Sequence, residues 1–406
     1  MKTTNYFLVS LAIVAMLFVS CEADDTAEIV INNVDNSVDN SVTNNDNGGG
    51  DDTNTPINIG GEQDENLTLT TGRTYILTSG LIMNSGTTLT IDPGVTVRAA
   101  PGANVYIAIA QGAKIMAEGT SSQPIVLTSN SATQGAGDWG GLIVLGKAPI
   151  NSVAGGDATS TSEIGQLPYG GSAVDDNSGV IKYIRVEFGG GAVDGQSENN
   201  GFSFYGVGNG TTVEYIQAYV GADDGIEFFG GTVNVRFVAV NGAEDDSIDW
   251  TEGYSGAITD AYVVHGVAHD KAFEADGFNT DIGNNSNPLF FSNPTVTNVT
   301  VIGRGSGAST VPEAFRLRAG TQGTFTNVLI EGFDEAFDLD GDMGDAPTGQ
   351  GVLDGTLSVT DVTFSDVTTK LKNDTGFEFT ESDFITGDGN GTGTDFATWG
   401  AGWARQ

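Results

Sequence analysis

The sequence predicts an all-β protein built as a right-handed parallel β-helix, a solenoid of about ten coils. Three observations lead there. A six-residue pattern, apolar-x-(N/D/Y/F)-apolar-x-apolar, recurs as IKYIRV from Ile181, VEYIQA from Val213, VRFVAV from Val235, ITDAYV from Ile258, VTNVTV from Val296, FTNVLI from Phe325 and VTDVTF from Val359. A second short strand follows each of the first six: FSF at Phe202, IEF at Ile226, IDW at Ile248, FEA at Phe273, FRL at Phe315 and FDL at Phe337. Finally, the runs alternate with the two-residue period of a strand, no stretch sustains a 3.6-residue period, and 59 glycines punctuate them without a collagen repeat. The copies at Val213 and Val235 align without a gap at a step of 22 residues, so one copy reads as one coil. Coils stacked about 4.8 Å apart would make a rod roughly 50 Å long and turn equivalent residues into ladders.

Taken in order, Lys2 precedes an apolar run from Phe7 to Val19, which ends at Ser20-Cys21. That run is too short to cross a bilayer core of about 30 Å as a helix, so 1–20 reads as a signal peptide. Residues 21–65 are rich in Asn, Asp, Gly, Ser and Thr. Such a segment buries too little apolar surface to offset its ordering entropy, and it is expected to be a disordered tether. Short β-type runs begin at Asn66, and the β-helix is expected over 66–376. Polar inserts at 189–200, 277–292, 303–312 and 341–355 fill the longer steps. Residues 377–406, with Phe396, Trp399 and Trp403, are expected to cap the open end of the coil, where a bare strand edge would invite aggregation.

Of the 406 residues, 15 are Lys or Arg and 53 are Asp or Glu, a formal charge of -38. That field repels phosphates, which argues against nucleic acid and anionic lipid surfaces as partners. It favours hard cations, calcium foremost, because these prefer oxygen ligands. It also keeps a secreted protein soluble without any ligand. Cys21 is the one cysteine, so there is no disulfide framework. His265 and His269 supply too few nitrogens for a usual catalytic zinc site.

The stretch Leu17-Phe18-Val19-Ser20-Cys21 resembles a bacterial lipobox, with Phe18 where an aliphatic residue is commoner. The resemblance implies lipidation of Cys21. Glu22-Ala23-Asp24-Asp25 is similar to the acidic export tag of Bacteroidetes surface lipoproteins, which implies an outer-membrane anchor facing the cell exterior. LTIDPGVTV (89–97), AKIMAEGTSSQPIVLTS (113–129), GDWGGLIVLGKAPIN (137–151), NNGFSFYGVGNGTTVEYIQ (199–217), DDGIEFFGG (223–231) and EDDSIDWTEG (244–253) resemble the β-helix lipoproteins of the Bacteroidetes, within the wider pectate-lyase-like superfamily. This likeness implies the fold and leaves the activity open.

Strand alternation sorts the second strands. Phe202, Ile226, Ile248, Phe273, Phe315 and Phe337 should point inward, as should Phe204, Phe228, Trp250, Ala275, Leu317 and Leu339. The row between them, Ser203, Glu227, Asp249, Glu274, Arg316 and Asp338, should point outward, followed by Tyr205, Phe229, Thr251, Asp276, Arg318 and Asp340. Three stacked carboxylates repel one another and must be relieved. Solvent screening, pairing of Glu274 and Asp338 with Arg316, bound Ca²⁺ and a raised pKa are the alternatives. Asp223, Asp224, Asp245, Asp246 and Asp249 are the candidate metal ligands. The simpler reading of the two Asp-Asp pairs is turn capping.

Three functions fit. The first is a surface protein whose face binds an extended polysaccharide, with Ca²⁺ assisting, through Tyr205, Glu227, Phe229, Asp249, Glu274, Arg316 and Arg318. The second is a polysaccharide hydrolase or lyase. GADDG and Arg316-Leu317-Arg318 superficially resemble motifs of polygalacturonase-like hydrolases. Their glycine-flanked histidine is only half present, at His265, and their Asn-Thr-Asp strand is missing upstream. No catalytic residue is assigned; Arg316, Arg318 and Lys271 would be the bases of a lyase. The third is a structural, adhesive or accessory protein working beside an outer-membrane transporter. The inserts FDLDGDMGD (337–345) and GDGNGTGTD (387–395) are rich in calcium-type ligands, yet neither is an EF-hand.

Overall fold

The computed structural model describes residues 55–406 except 153–157, 194–196, 281–288, 309–310 and 342–347. Twenty-two strands join in one coiled sheet, the expected right-handed parallel β-helix. Each coil has three faces. In one of them, Thr212–Glu214 lies on the first face, Ile216–Tyr219 on the second and Ile226–Phe229 on the third. The 22-residue step appears as unbroken register: Val213 pairs with Val235, and Ile226 with Ile248.

The third position of the repeat pattern is the corner between the first two faces. Tyr183, Tyr215, Phe237, Asp260, Asn298, Asn327 and Asp361 all adopt φ of +51 to +60°. Asn and Asp tolerate this left-handed conformation, whereas a bulky residue there costs on the order of 1 kcal/mol. The rings offset that cost by stacking, Tyr183 on Tyr215 at 4.1 Å and Tyr215 on Phe237 at 4.2 Å. The amides bond along the ladder: Asn298 donates to Asp260 (3.1 Å) and Asn327 to Asn298 (2.8 Å).

The interior is filled by the inward rows. Phe204 stacks with Phe228 at 5.4 Å, and Phe273 with Phe315 at 4.7 Å, all fully buried. Gly225 marks a tight corner beside this stack: a Cβ there would lie 2.4 Å from Val240 Cγ1 and 2.6 Å from Ser247 O.

Two boundaries differ from expectation. The coil starts at Ile57, inside the expected tether, because Ile57–Gln63 pairs with Tyr75–Met83. Its Asn and Gly content hides the alternation that Ile57 and Ile59 supply. At the other end, Phe384 and the strand Ile385–Asp388 cover the last coil. Phe396, Trp399 and Trp403 do not. They belong to a strap that runs back along the left-handed corner. Thr392 N donates to Asn327 (2.6 Å) and Phe396 stacks on Tyr262 (4.0 Å). Trp399 meets Phe237 (5.6 Å), Trp403 meets Tyr183 (5.8 Å), and Arg405 and Gln217 exchange two bonds of 2.8 Å. The half-buried rings along this side of the coil are the partners these aromatics meet. Residues 1–54, with the expected signal peptide, Cys21 and most of the tether, lie outside the described residues. No helix of the described residues is long and apolar enough to cross a membrane.

Candidate functional site

The outward row of the third face extends in both directions beyond the six residues read from the sequence. It runs Ile82, Ala108, Ile143, Ser203, Glu227, Asp249, Glu274, Arg316, Asp338, Lys372. The face is thus apolar at one end, acidic in the middle and mixed in charge at the other end.

The apolar end is covered. Ile150, Ala158, Ile164 and Tyr169, from the insert that follows Leu145, pack on Tyr106, Ile143, Leu145, Tyr205 and Phe229. Tyr205 stacks on Phe229 at 4.0 Å, and Tyr169 lies at 4.9 Å from Tyr205. Tyr169 Oη donates to Glu252 Oε2 at 2.7 Å, which pins the insert down. Tyr205 and Phe229, expected among the polysaccharide-binding residues, are each 2% exposed. They do point away from the coil, as alternation requires, but the insert buries them.

The acidic middle opens into a cleft of about 250 Å³. Asp223, Asp224, Glu227, Asp245, Asp246, Asp249, Glu274 and Asp276 line it from the coils, and Glu163 and Glu198 from inserts. Thr251, Asn279 and Thr280 add neutral polar groups, and among the described residues Arg318 is the one cation in the lining. The cleft brings together all five candidate metal ligands and five of the seven candidate ligand-binding residues: Glu227, Asp249, Glu274, Arg318 and the largely covered Phe229. Arg316 stands outside, held by Asp340 through Nε at 3.0 Å and Nη2 at 2.5 Å.

The three stacked carboxylates are relieved unequally. Glu274 is well served, by Arg318 Nη2 (2.6 Å), Lys271 Nζ (3.6 Å) and, more distantly, Arg316 Nη1 (3.9 Å). The expected Arg316 pairing thus holds only in part: Arg316 stays within 3.9 Å of Glu274 but does not pair with Asp338. Arg318, one outward position further, reaches back to Glu274 and Asp276, and Asp338 takes Lys372 instead. Glu227 accepts one bond from Asn200 Nδ2 at 2.7 Å. Asp249 Oδ1 is buried without a hydrogen bond. Neither is the Thr251 hydroxyl bonded, although it lines the cleft and Thr251 is only 6% exposed.

The Asp-Asp pairs divide the work. Asp224 Oδ1 accepts the Asp246 N–H (2.9 Å), and Asp246 Oδ1 accepts the Lys271 N–H (2.6 Å). The second aspartate of each pair thus caps the corner of the next coil. The first, Asp223 and Asp245, lines the cleft alongside its capping neighbour.

Charge crowding shows in the acidities. Burial, then Glu198 and Asp245, push Asp223 up to about 8. Burial, then Asp270 and Glu274, push Asp245 up to about 6. Burial and neighbouring carboxylates also raise Asp224, Glu227, Asp246 and Asp249 well above the usual range. Asp276 rises to about 6 through burial, with Arg318 pulling the other way. Burial disfavours the Lys271 ammonium, but Asp246, Asp270 and Glu274 outweigh it and raise its pKa.

Chemically, this is a site short of positive charge. Oxygens of Asp224, Glu227 and Asp249 lie within 4.8 Å of one another, as do oxygens of Asp246, Asp249 and Glu274 and of Asp223, Asp224 and Asp245. Such spacing suits a hard cation with oxygen ligands at 2.3–2.6 Å. The sequence missed Glu163, Glu198, Asn279 and Thr280. All four arrive on inserts, where no ladder fixes direction.

A family profile described as a pectate-lyase like beta helix domain matches residues 61–404. The solved structure of the catalytic unit of a thermostable GH87 α-1,3-glucanase from Streptomyces thermodiastaticus strain HF3-3 aligns with a TM-score of 0.39 at 10% identity, covering 80% of this chain and 65% of that one. No curated protein matches the chain.

Proposed function

Because the chain belongs to the pectate-lyase-like β-helix family, we propose that its acidic cleft binds an extended polysaccharide with the help of a divalent cation, most simply Ca²⁺. The observation that carries this reading is the uncompensated middle of the carboxylate ladder. Asp249 has a buried, unbonded oxygen, three carboxylate triads converge on it and its neighbours, and among the described residues Arg318 is the one cation in the lining. Protonation or a bound cation must remove the excess charge, and at neutral pH oxygen-rich triads favour the cation. A bound cation leaves positions for sugar hydroxyls or carboxylates. With the rings covered, polar contacts and not stacking hold the sugar. The protein works, on this reading, as a surface lipoprotein anchored through Cys21, alone or beside an outer-membrane transporter.

One observation favours a second reading, hydrolysis. Asp223 faces the cleft and is pushed up to about 8, so it keeps a proton near neutral pH, as a general acid must. One experiment tests both readings. The purified chain is run through gels containing soluble polysaccharides, with Ca²⁺ or with EDTA, and the same polysaccharides are assayed for new reducing ends and unsaturated products. Calcium-dependent retardation without products is the expected result. Products would replace binding by hydrolysis or elimination, and neither retardation nor products across the panel would reject the cleft as a glycan site.

A further inference from the structure

A second group of carboxylates lies further along the solenoid, on the coil that carries Arg318 and the coil after it. Glu313 pairs in register with Glu335, and Asp338 holds the ladder position that Glu227, Asp249 and Glu274 hold earlier. Arg316, occupied by Asp340, separates it from Glu274. One oxygen from each of Glu313, Glu335 and Asp338 lies within 4.8 Å of the others. Asp338 is 3% exposed, yet its Oδ1 is buried without a hydrogen bond, and so is Glu335 Oε2. Lys372 is the ammonium that reaches this group. It divides itself between Asp338 (3.1 Å), Asp374 (3.3 Å) and Glu335 (3.6 Å).

The calcium-type stretch FDLDGDMGD is split by the fold: Asp340 turns to Arg316, and Asp338 lies with Glu335, three residues before it, and Glu313 of the preceding coil. We propose that Glu313, Glu335 and Asp338 form a divalent-cation site, separate from the cleft, that fastens neighbouring coils near the C-terminal end of the solenoid. The ligands are carboxylate oxygens alone, which excludes a preference for soft metals and suits Ca²⁺, whose six to eight positions water can complete. A cation there would give the buried Asp338 and Glu335 oxygens the partner that a single shared ammonium cannot.

The test uses the full chain stripped with EDTA, with Glu313→Gln, Asp338→Asn and Lys372→Met as variants and Asp249→Asn as the cleft reference. Equilibrium dialysis against CaCl2 should show one ion fewer per chain in E313Q and D338N than in the wild type. D249N should keep that ion. K372M should unfold at lower temperature in EDTA, recover in millimolar Ca²⁺, and bind this ion on the order of ten-fold more tightly, because a competing charge is gone. Unchanged stoichiometry in both E313Q and D338N would overturn the site. Failure of Ca²⁺ to restore K372M would do the same, since Lys372 would then be the whole counter-charge. Neither result bears on the cleft, which D249N reports.

Discussion

At the scale of single residues, the outward row was legible because strand alternation leaves no choice once the inward row is known. Glu227, Asp249 and Glu274 stack as the sequence predicts. What alternation could not reveal is who answers them, since that depends on side chains reaching between rows. Arg318 and Lys271 serve Glu274, and Asp249 is left with an unbonded oxygen. Replacing Asp249 by Asn should therefore split stability from binding. In EDTA the variant should be more stable than the wild type by about 1–2 kcal/mol, because one buried like charge is removed. Its calcium-dependent retardation by polysaccharide should vanish. Urea unfolding and gel retardation check the two halves. Gly225→Ala is the structural counterpart. With Val240 and Ser247 against the added methyl, it should cost about 3 kcal/mol in urea unfolding.

At the scale of elements, the repeat was readable but the meaning of its third position was not. Asn, Asp, Tyr and Phe look unrelated until their shared φ of +51 to +60° is seen. Asn298 holds this corner while bonding both Asp260 and Asn327. Asn298→Ala should cost about 2 kcal/mol, from left-handed strain and two lost side-chain bonds, measured by urea unfolding. The course of the strap is hidden in the sequence for a related reason. Aromatic residues after the last repeat suggest a lid on the coil end, whereas the ring ladder they cover accounts for their course along the side. Truncation after Asp388 should bare Tyr183, Tyr215, Phe237 and Tyr262, raise binding of a hydrophobic dye and lower the unfolding temperature. An unchanged dye signal would show that the strap covers nothing of consequence. The insert that covers Tyr205 and Phe229 is the other element the sequence did not place, because it follows no repeat.

At the scale of the whole molecule, the charge of -38 is unevenly used. Much of it converges on one face, where burial raises carboxylate pKa values. A group whose pKa is raised on folding binds more protons folded than unfolded, so its contribution to stability is lost as pH rises. Here the window runs from the ordinary carboxylate range up through about 6 for Asp245 and Asp276 and about 8 for Asp223. The cation-free protein should thus unfold at progressively lower temperature between pH 5 and pH 8, a window of roughly three units. Millimolar Ca²⁺ should flatten that profile, and thermal scans at several pH values check it. The fold class and the acidic face were written in the repeat, whereas the depth of the cleft depends on inserts that carry Glu163, Glu198, Asn279 and Thr280 to its rim. The most direct measurement is a calorimetric titration of Ca²⁺ into the EDTA-stripped protein at neutral pH, with D249N alongside. Saturable binding in the wild type that falls in D249N is the predicted result. Absence of calcium heat at millimolar concentration, or an isotherm that D249N leaves unchanged, would contradict a cation-holding cleft.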